Sequence, residues 1–187
     1  MHRNQLLDLI EDYLDRFPEE KSTVTKIQHF IEENESCFER ELQIGHITGS
    51  AWILSADRSH ALLTHHRKLN IWVQLGGHAD GDSDIARVAM KEAEEESGLK
   101  GLSFAQSKIP TTVSRMIFDI DIHEIPARGN DPVHFHYDCR FLLTAKDSDY
   151  VVSEESHDLR WVELSEIKNL TKESSTLRMI KKSKAFQ

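Results

Sequence analysis

The stretch GGHADGDSDIARVAMKEAEEESGL, Gly76 to Leu99, decides how this chain is read. Two glycines and a histidine open it, and Glu92, Glu94, Glu95 and Glu96 crowd its far end. Asp84 is placed to cap a helix and Gly98 to stop one. Between them a period of 3.6 residues puts Ala86, Ala89, Met90 and Ala93 on one apolar arc. Glu92, Glu95 and Glu96 stand at i, i+3 and i+4 and share a neighbouring stripe, whereas Glu94 points elsewhere into solvent. Three carboxylates near the negative end of a helix are unfavourable alone. Oxygen-preferring divalent cations would relieve the repulsion. Gly76 and Gly77 would let a backbone carbonyl approach the same cations. The plainer alternative is a charged, solvated helix face.

Outward from this helix the texture is that of strands. HITGSAWILS (46–55), ALLTHH (61–66), IWVQL (71–75), MIFDIDIHEI (116–125), HFHYDCRFLL (134–143) and LRWVEL (159–164) are rich in β-branched and aromatic residues. Residues 4–33 read as two helices. The first carries Leu6, Leu7, Leu9, Ile10, Tyr13 and Leu14 at helical spacing and ends before Pro18. Ser22 or Thr23 is the expected cap of the second, which carries Val24, Ile27, Phe30 and Ile31. The tail from Glu163 to Lys184 reads as two short helices with Ser165 as a cap. Residues 1–40 are therefore expected to be a helical extension packing on a domain of residues 41–187. Strands around a central helix predict an α/β (α+β) architecture, a mixed β-sheet between helices.

Composition bounds the function. The chain has 187 residues with a hydrophobic fraction of 39%, and no apolar run approaches the roughly 20 residues of a membrane span. The N-terminus intersperses acids among its apolar residues, unlike a signal peptide. Cys37 and Cys139 are far apart and give neither a disulfide framework nor a zinc spacing. A reducing, cytoplasmic setting is expected. The net charge of -9 argues against a nucleic-acid surface. A small anionic ligand remains compatible, because a bound metal inverts the local field.

The chain also holds 11 histidines. Strand alternation places Asp119, Asp121 and His123 on one face, and His134, His136 and Asp138 on one face of the next strand. If EIPARGNDP is the loop between them, antiparallel pairing sets His123 near His134, Asp121 near His136 and Asp119 near Asp138. Ile120, Ile122, Phe135 and Tyr137 would pack the other face. Exposed strand faces carry Thr, Lys or Glu more than Asp and His, which favours a metal or substrate site over a solvated face. His65 and His66 are neighbours on a strand and face opposite sides. Arg67 and Lys68 beside them are solvated cations able to meet a phosphate. Arg128 is either a phosphate contact or a loop cation.

The opening stretch resembles the Nudix box, G-x5-E-x7-R-E-U-x-E-E-x-G-U with U apolar. In this chain the pattern runs from Gly77 through Ser83 to Lys91-Glu92-Ala93-Glu94-Glu95-Glu96-Ser97-Gly98-Leu99. Ser83 replaces a glutamate that in the family mainly supports the loop and helix; Asp82 or Asp84 could partly serve for it. Lys91 replaces an arginine and loses the planar fork. The preceding WVQLGG is similar to the family's strand into a double glycine. The resemblance covers about residues 44–165. It implies a mixed, twisted sheet sandwiched between helices, and hydrolysis of a phosphoanhydride in a nucleoside diphosphate linked to another group. Glu92, Glu95 and Glu96, with the carbonyl of Gly77, would hold Mg2+ or Mn2+. One of these glutamates, or a carboxylate from a later loop, would take the proton from water.

The histidines are similar to a second branch of the superfamily, the type I isopentenyl diphosphate isomerases. There a histidine follows the positions of Gly76 and Gly77 and binds a divalent metal, as His78 would here. A further ligand lies six residues before a tryptophan, as His46 does before Trp52, and two glutamate ligands fall where His134 and His136 stand. That resemblance implies a transition metal on His46, His78, His134 and His136. It is partial: the isomerase's catalytic cysteine corresponds to Gly76 and a glutamate used in its chemistry to His136. Three functions follow as alternatives: a metal-dependent hydrolase, favoured by the intact carboxylates; an isoprenoid diphosphate isomerase; and a Nudix-fold binding module without turnover. The expected partner is a small-molecule diphosphate, with no nucleic acid and no membrane; a homodimer is compatible. Recognition is expected from the N-terminal helices and EIPARGNDPV.

Overall fold

A ten-residue strand, β1 (Gly45–Leu54), is buried along its whole length and organises the molecule. The computed structural model describes residues 2–67, 70–105, 115–129, 131–153 and 156–186. On one side β1 pairs in parallel with β7 (His134–Thr144), from Gly45 opposite Phe135 to Leu54 opposite Thr144. On the other side it pairs antiparallel with β2 (His60–His66) near its end and with β4 (Leu75–His78) along Thr48–Ala51. The strand β2 also carries β3 (Ile71–Val73) and β8 (Ser156–Glu163), while β7 carries β5 (Ser103–Phe104) and β6 (Ile117–Ile125). These eight strands, counted among the described residues, form one mixed sheet.

The alternation of β1 assigns the layers. Ile47 lies in one apolar cluster with Ile10, Tyr13, Ile27 and Phe30, from α1 (Asn4–Arg16) and α2 (Lys21–Glu33), and with Ile85 and Ala89, from α3 (Ile85–Ser97). Gly49, on the same face, is so close to α3 that a Cβ would stand 2.9 Å from the Ile85 carbonyl oxygen. Trp52 and Leu54, at even positions, pack instead with Ile167 of α4 (Ile167–Leu170) and Met179 of α5 (Ser174–Ser183). The sheet thus lies between helical layers, as expected. No helix among the described residues is long and apolar enough to cross a membrane.

Several local expectations are corrected. The segment IWVQL is not one strand: Val73 pairs with Thr64 of β2 and Leu75 with Ala51 of β1, so the chain changes partner at Gln74. The second helix begins at Lys21, so Ser22 and Thr23 lie inside its first turn and neither caps it. Ser165 donates to Glu163 Oε1 at 2.8 Å and does not cap α4. The two-residue strand β5 was not expected, being too short to show alternation.

The register of β6 on β7 differs by two residues from the expected one. Ile125 is opposite His134, His123 opposite His136, Asp121 opposite Asp138 and Asp119 opposite Arg140. The hairpin closes later than expected, at a bridge between Arg128 and Asp131 with Gly129 at φ +59°. The Gly129-Asn130 pair was the overlooked turn signal. Because the slip is even, every side chain keeps its face.

Among the described residues, the edge of β6 away from β7 is covered from both ends of the chain. Tyr13 accepts a hydrogen bond from the Ile120 N–H at 3.3 Å, Arg16 donates to the Ile117 carbonyl at 2.8 Å, and Arg178 of α5 donates to the Ile120 carbonyl at 2.9 Å. Capping an edge in this way removes a template for pairing with other chains.

Candidate functional site

The loop before α3 is built without the glutamate absent at position 83. Asp84 caps the helix, its Oδ1 accepting from the Arg87 N–H at 3.1 Å, and Gly98 ends it at φ +68°. Asp82 accepts from the Asp84 N–H at 2.9 Å and holds the Arg87 guanidinium through two bonds of 2.8 and 2.6 Å. Arg115 reaches Asp84 at 3.1 Å.

Two of the three stripe carboxylates meet the double glycine. Glu96 is buried, and its Oε1 accepts from the Gly76 N–H at 2.9 Å. Glu92 occupies the space a side chain at Gly77 would need: a Cβ there would lie 2.5 Å from its carboxylate oxygen. Glu95 is 59% exposed and 3.5 Å from the Lys91 ammonium. Glu94 is exposed. An open groove of about 300 Å³ runs past Glu94 and Glu95, with Met90, Phe104 and Arg115 in its walls.

The histidines gather on the other face of the sheet. His78 is opposite Thr48, and Gly77 is opposite Gly49. Paired residues share a face, so Gly77 looks toward α3 while His78 looks away with Thr48 and His46. His46 is opposite His136 on the parallel strand, and His136 is opposite His123. Ring centroids lie 4.8 Å apart for His46 and His136, 4.9 Å for His46 and His78, 5.1 Å for His46 and His134, and 5.5 Å for His123 and His136. One ligand atom each from His46, His134 and His136 falls within 4.8 Å of the others.

Two rings of this cluster, His46 and His136, have ring nitrogens withdrawn from solvent. Both ring nitrogens of His46 and the Nε2 of His136 are buried without a hydrogen-bond partner among the described residues. Such atoms carry a desolvation cost that a bound cation would offset. Burial, with neighbouring His78 and His134, pushes the His46 pKa down to about 4. Burial and the surrounding histidines, His46 first, lower that of His136 to about 2. Neutral imidazole is the ligating form. His134 Nδ1 lies 2.9 Å from the Pro132 carbonyl oxygen. A carbonyl only accepts, so in neutral His134 the lone pair is on Nε2.

Beneath the histidines the same face carries a buried polar layer. Asp138 accepts from Thr48 at 3.0 Å, Ser50 at 2.7 Å, Gln74 at 3.2 Å and Arg140 at 2.8 Å. Arg140, 3% exposed, also contacts Asp119 and Asp121, at 3.3 and 3.2 Å. Lys182 bonds Asp119 at 2.7 Å and the Tyr13 hydroxyl at 2.6 Å. Sequence reasoning placed the aspartates on this face but missed Arg140, Arg178 and Lys182, because ordinary spaced cations carry no local signal.

Other expected residues lie elsewhere. Arg67 donates to the Ser156 carbonyl at 3.1 Å, on β8. Lys68 lies outside the described residues. Arg128 is exposed in the β6–β7 hairpin. Missed at the rim, Arg40 and Asp80 form a two-bond ion pair of 2.6 and 2.5 Å. Its charges act on His46 and His78, and also on Glu92.

Neither a protein-family model nor a curated protein matches this sequence. Solved structures do. An Ap4A hydrolase from C. elegans superposes with a TM-score of 0.56 at 17% identity, over 75% of this chain and 96% of that one. A NUDIX-family hydrolase from Clostridium perfringens gives 0.55 at 19%, over 76% and 98%. The dihydroneopterin triphosphate pyrophosphohydrolase of E. coli gives 0.53 at 17%, over 72% and 92%. The chain has the Nudix hydrolase fold.

Proposed function

We propose that the protein is a divalent-metal-dependent hydrolase that cleaves a phosphoanhydride bond in a nucleoside diphosphate linked to another group. The observation that carries this reading is the fit of Glu92 and Glu96 around Gly76 and Gly77. A side chain at position 77 would fill the space where the Glu92 carboxylate rests. Glu92, Glu95 and Glu96 would offer oxygen donors together with the Gly77 carbonyl, and this set suits Mg2+ or Mn2+. Such ions, when bound, supply charge neutralisation on phosphate oxygens and a more acidic bound water. The Gly76 N–H holds Glu96 in one orientation, so its second oxygen has a fixed direction. Lys91 near Glu95 balances charge at the exposed side.

The histidine cluster supports a second ion. Its all-nitrogen donor set suits zinc, manganese, iron or nickel better than magnesium. His46, His134 and His136 are the inner donors, with His78 beside them. This gathering also favours the isomerase reading in part. Against it, Gly76 supplies no side chain for proton transfer, and a Cβ there would stand 2.6 Å from the Ser50 Cα. A panel of dinucleoside polyphosphates, nucleotide sugars, oxidised nucleotides and coenzyme diphosphates, assayed with Mg2+ and then Mn2+, tests the proposal. Phosphate-ester products from any member support hydrolysis. Interconversion of isoprenoid diphosphate alkenes without bond cleavage supports the isomerase, and tight binding with no conversion supports a binding module.

A further inference from the structure

His123 stands just outside the inner histidine set. Its ring is nearly perpendicular to that of His136, at 70°, and 5.5 Å away. Its Nδ1 lies 3.2 Å from Asp121 Oδ2. A carboxylate accepts, so Nδ1 carries a hydrogen, and in neutral His123 the lone pair is on Nε2. His134 is built the same way, with Nδ1 on the Pro132 carbonyl and Nε2 left over. Two histidines of the cluster therefore turn the same nitrogen to a backing oxygen.

Asp121 is held more firmly than a surface carboxylate. Arg140 reaches its Oδ2 at 3.2 Å and Arg178 its Oδ1 at 3.4 Å. Arg140 is locked in turn by Asp138, and Arg178 by two bonds of 2.8 Å to Asp119. Asp121 therefore accepts from two guanidiniums as well as facing His123. A carboxylate fixed between two planar cations fixes whatever it accepts from.

We propose that Asp121 is a positioning residue that holds His123 Nε2 as the solvent-side ligand of the histidine metal centre. The proposal rests on the reading of that cluster as a metal site. A backing carboxylate orients a ligating imidazole and raises its basicity, and losing one typically costs roughly 10- to 100-fold in metal affinity. The His123 side chain, 40% exposed, lies outside the three whose ligand atoms fall within 4.8 Å of one another, with its ring 5.5 Å from that of His136.

The test is Co2+ titration of the full chain, purified without a polyhistidine tag and freed of metal. Visible absorption reads coordination geometry and chelator competition reads affinity. His123→Gln, which keeps the contacts of Asp121 with Arg140 and Arg178, should weaken Co2+ binding roughly 10- to 100-fold and change the intensity of the visible bands. Asp121→Asn should move both in the same direction. The double variant His46→Ala/His136→Ala serves as the reference without the inner set. If the unmodified protein binds no Co2+, or binds it no better than that reference, the metal centre itself fails and the proposal with it. If the unmodified protein binds and both single variants stay within twofold with unchanged spectra, only the role of His123 and Asp121 fails. A change in His123→Gln with none in Asp121→Asn overturns the positioning role.

Discussion

His46 and His136 face each other across parallel strands with ring centroids 4.8 Å apart, and neither Nε2 has a hydrogen-bond partner among the described residues. Desolvation of these rings favours their neutral form, which makes folding sensitive to acid.

The sign follows from linkage. In the unfolded chain His46 takes its proton near pH 6.5, whereas in the folded protein it does so only near 4. Between these values the unfolded state binds more protons, so stability falls as pH falls, by roughly 1.4 kcal/mol per pH unit for this histidine. Metal-free protein should show a falling melting temperature between pH 6.5 and 4, and His46→Leu should flatten that slope. A slope unchanged by the substitution would show that His46 is not held neutral.

Metal content gives the second prediction. Protein purified without a polyhistidine tag should retain a transition metal, and His134→Ala/His136→Ala should lose it. Elemental analysis of the two proteins decides the matter; equal content and equal activity would mark the cluster as a polar strand face.

On a confirmed substrate, Glu96→Gln should reduce turnover by roughly 100-fold or more, the scale of disturbing metal-assisted catalysis. The near-isosteric amide keeps an oxygen that can accept from the Gly76 N–H, so the fold should stay intact. Glu95→Gln should act likewise, although its exposed side chain makes it the stricter test. Near wild-type turnover by both would remove α3 from the chemistry.

The two glycines should respond differently to alanine. At Gly77 the added carbon meets the flexible end of Glu92, so Gly77→Ala should fold normally and lose turnover as the carboxylate is displaced. At Gly76 it meets the Ser50 backbone, so Gly76→Ala should lower the melting temperature. Calorimetry paired with steady-state kinetics separates the two; an inactive but equally stable Gly76→Ala would contradict the backbone clash.

What the sequence made legible was periodic or punctuated. Asp84 and Gly98 bound α3 because a cap and a left-handed stop are local signals. The faces of β6 and β7 were correct although their register was not, since alternation survives an even slip while pairing depends on the turn at Gly129. The change of partner at Gln74 was invisible, because both halves of that segment look like strand. The clamp of Arg140, Arg178 and Lys182 on the aspartates was also invisible. Lys182 and Asp119 are 63 positions apart and meet only once α5 packs beside β6.

The strand β4 is a wall one residue thick. Gly77 belongs to the compartment of α3, and its neighbour His78 to the compartment of the histidines. Membership of a compartment is thus decided by odd or even position alone. Deleting or inserting one residue between Leu75 and His78 would turn the imidazole toward α3 and strip one chamber of a donor while obstructing the other. A two-residue change would spare that assignment, so length variation in this segment is tolerable only in pairs.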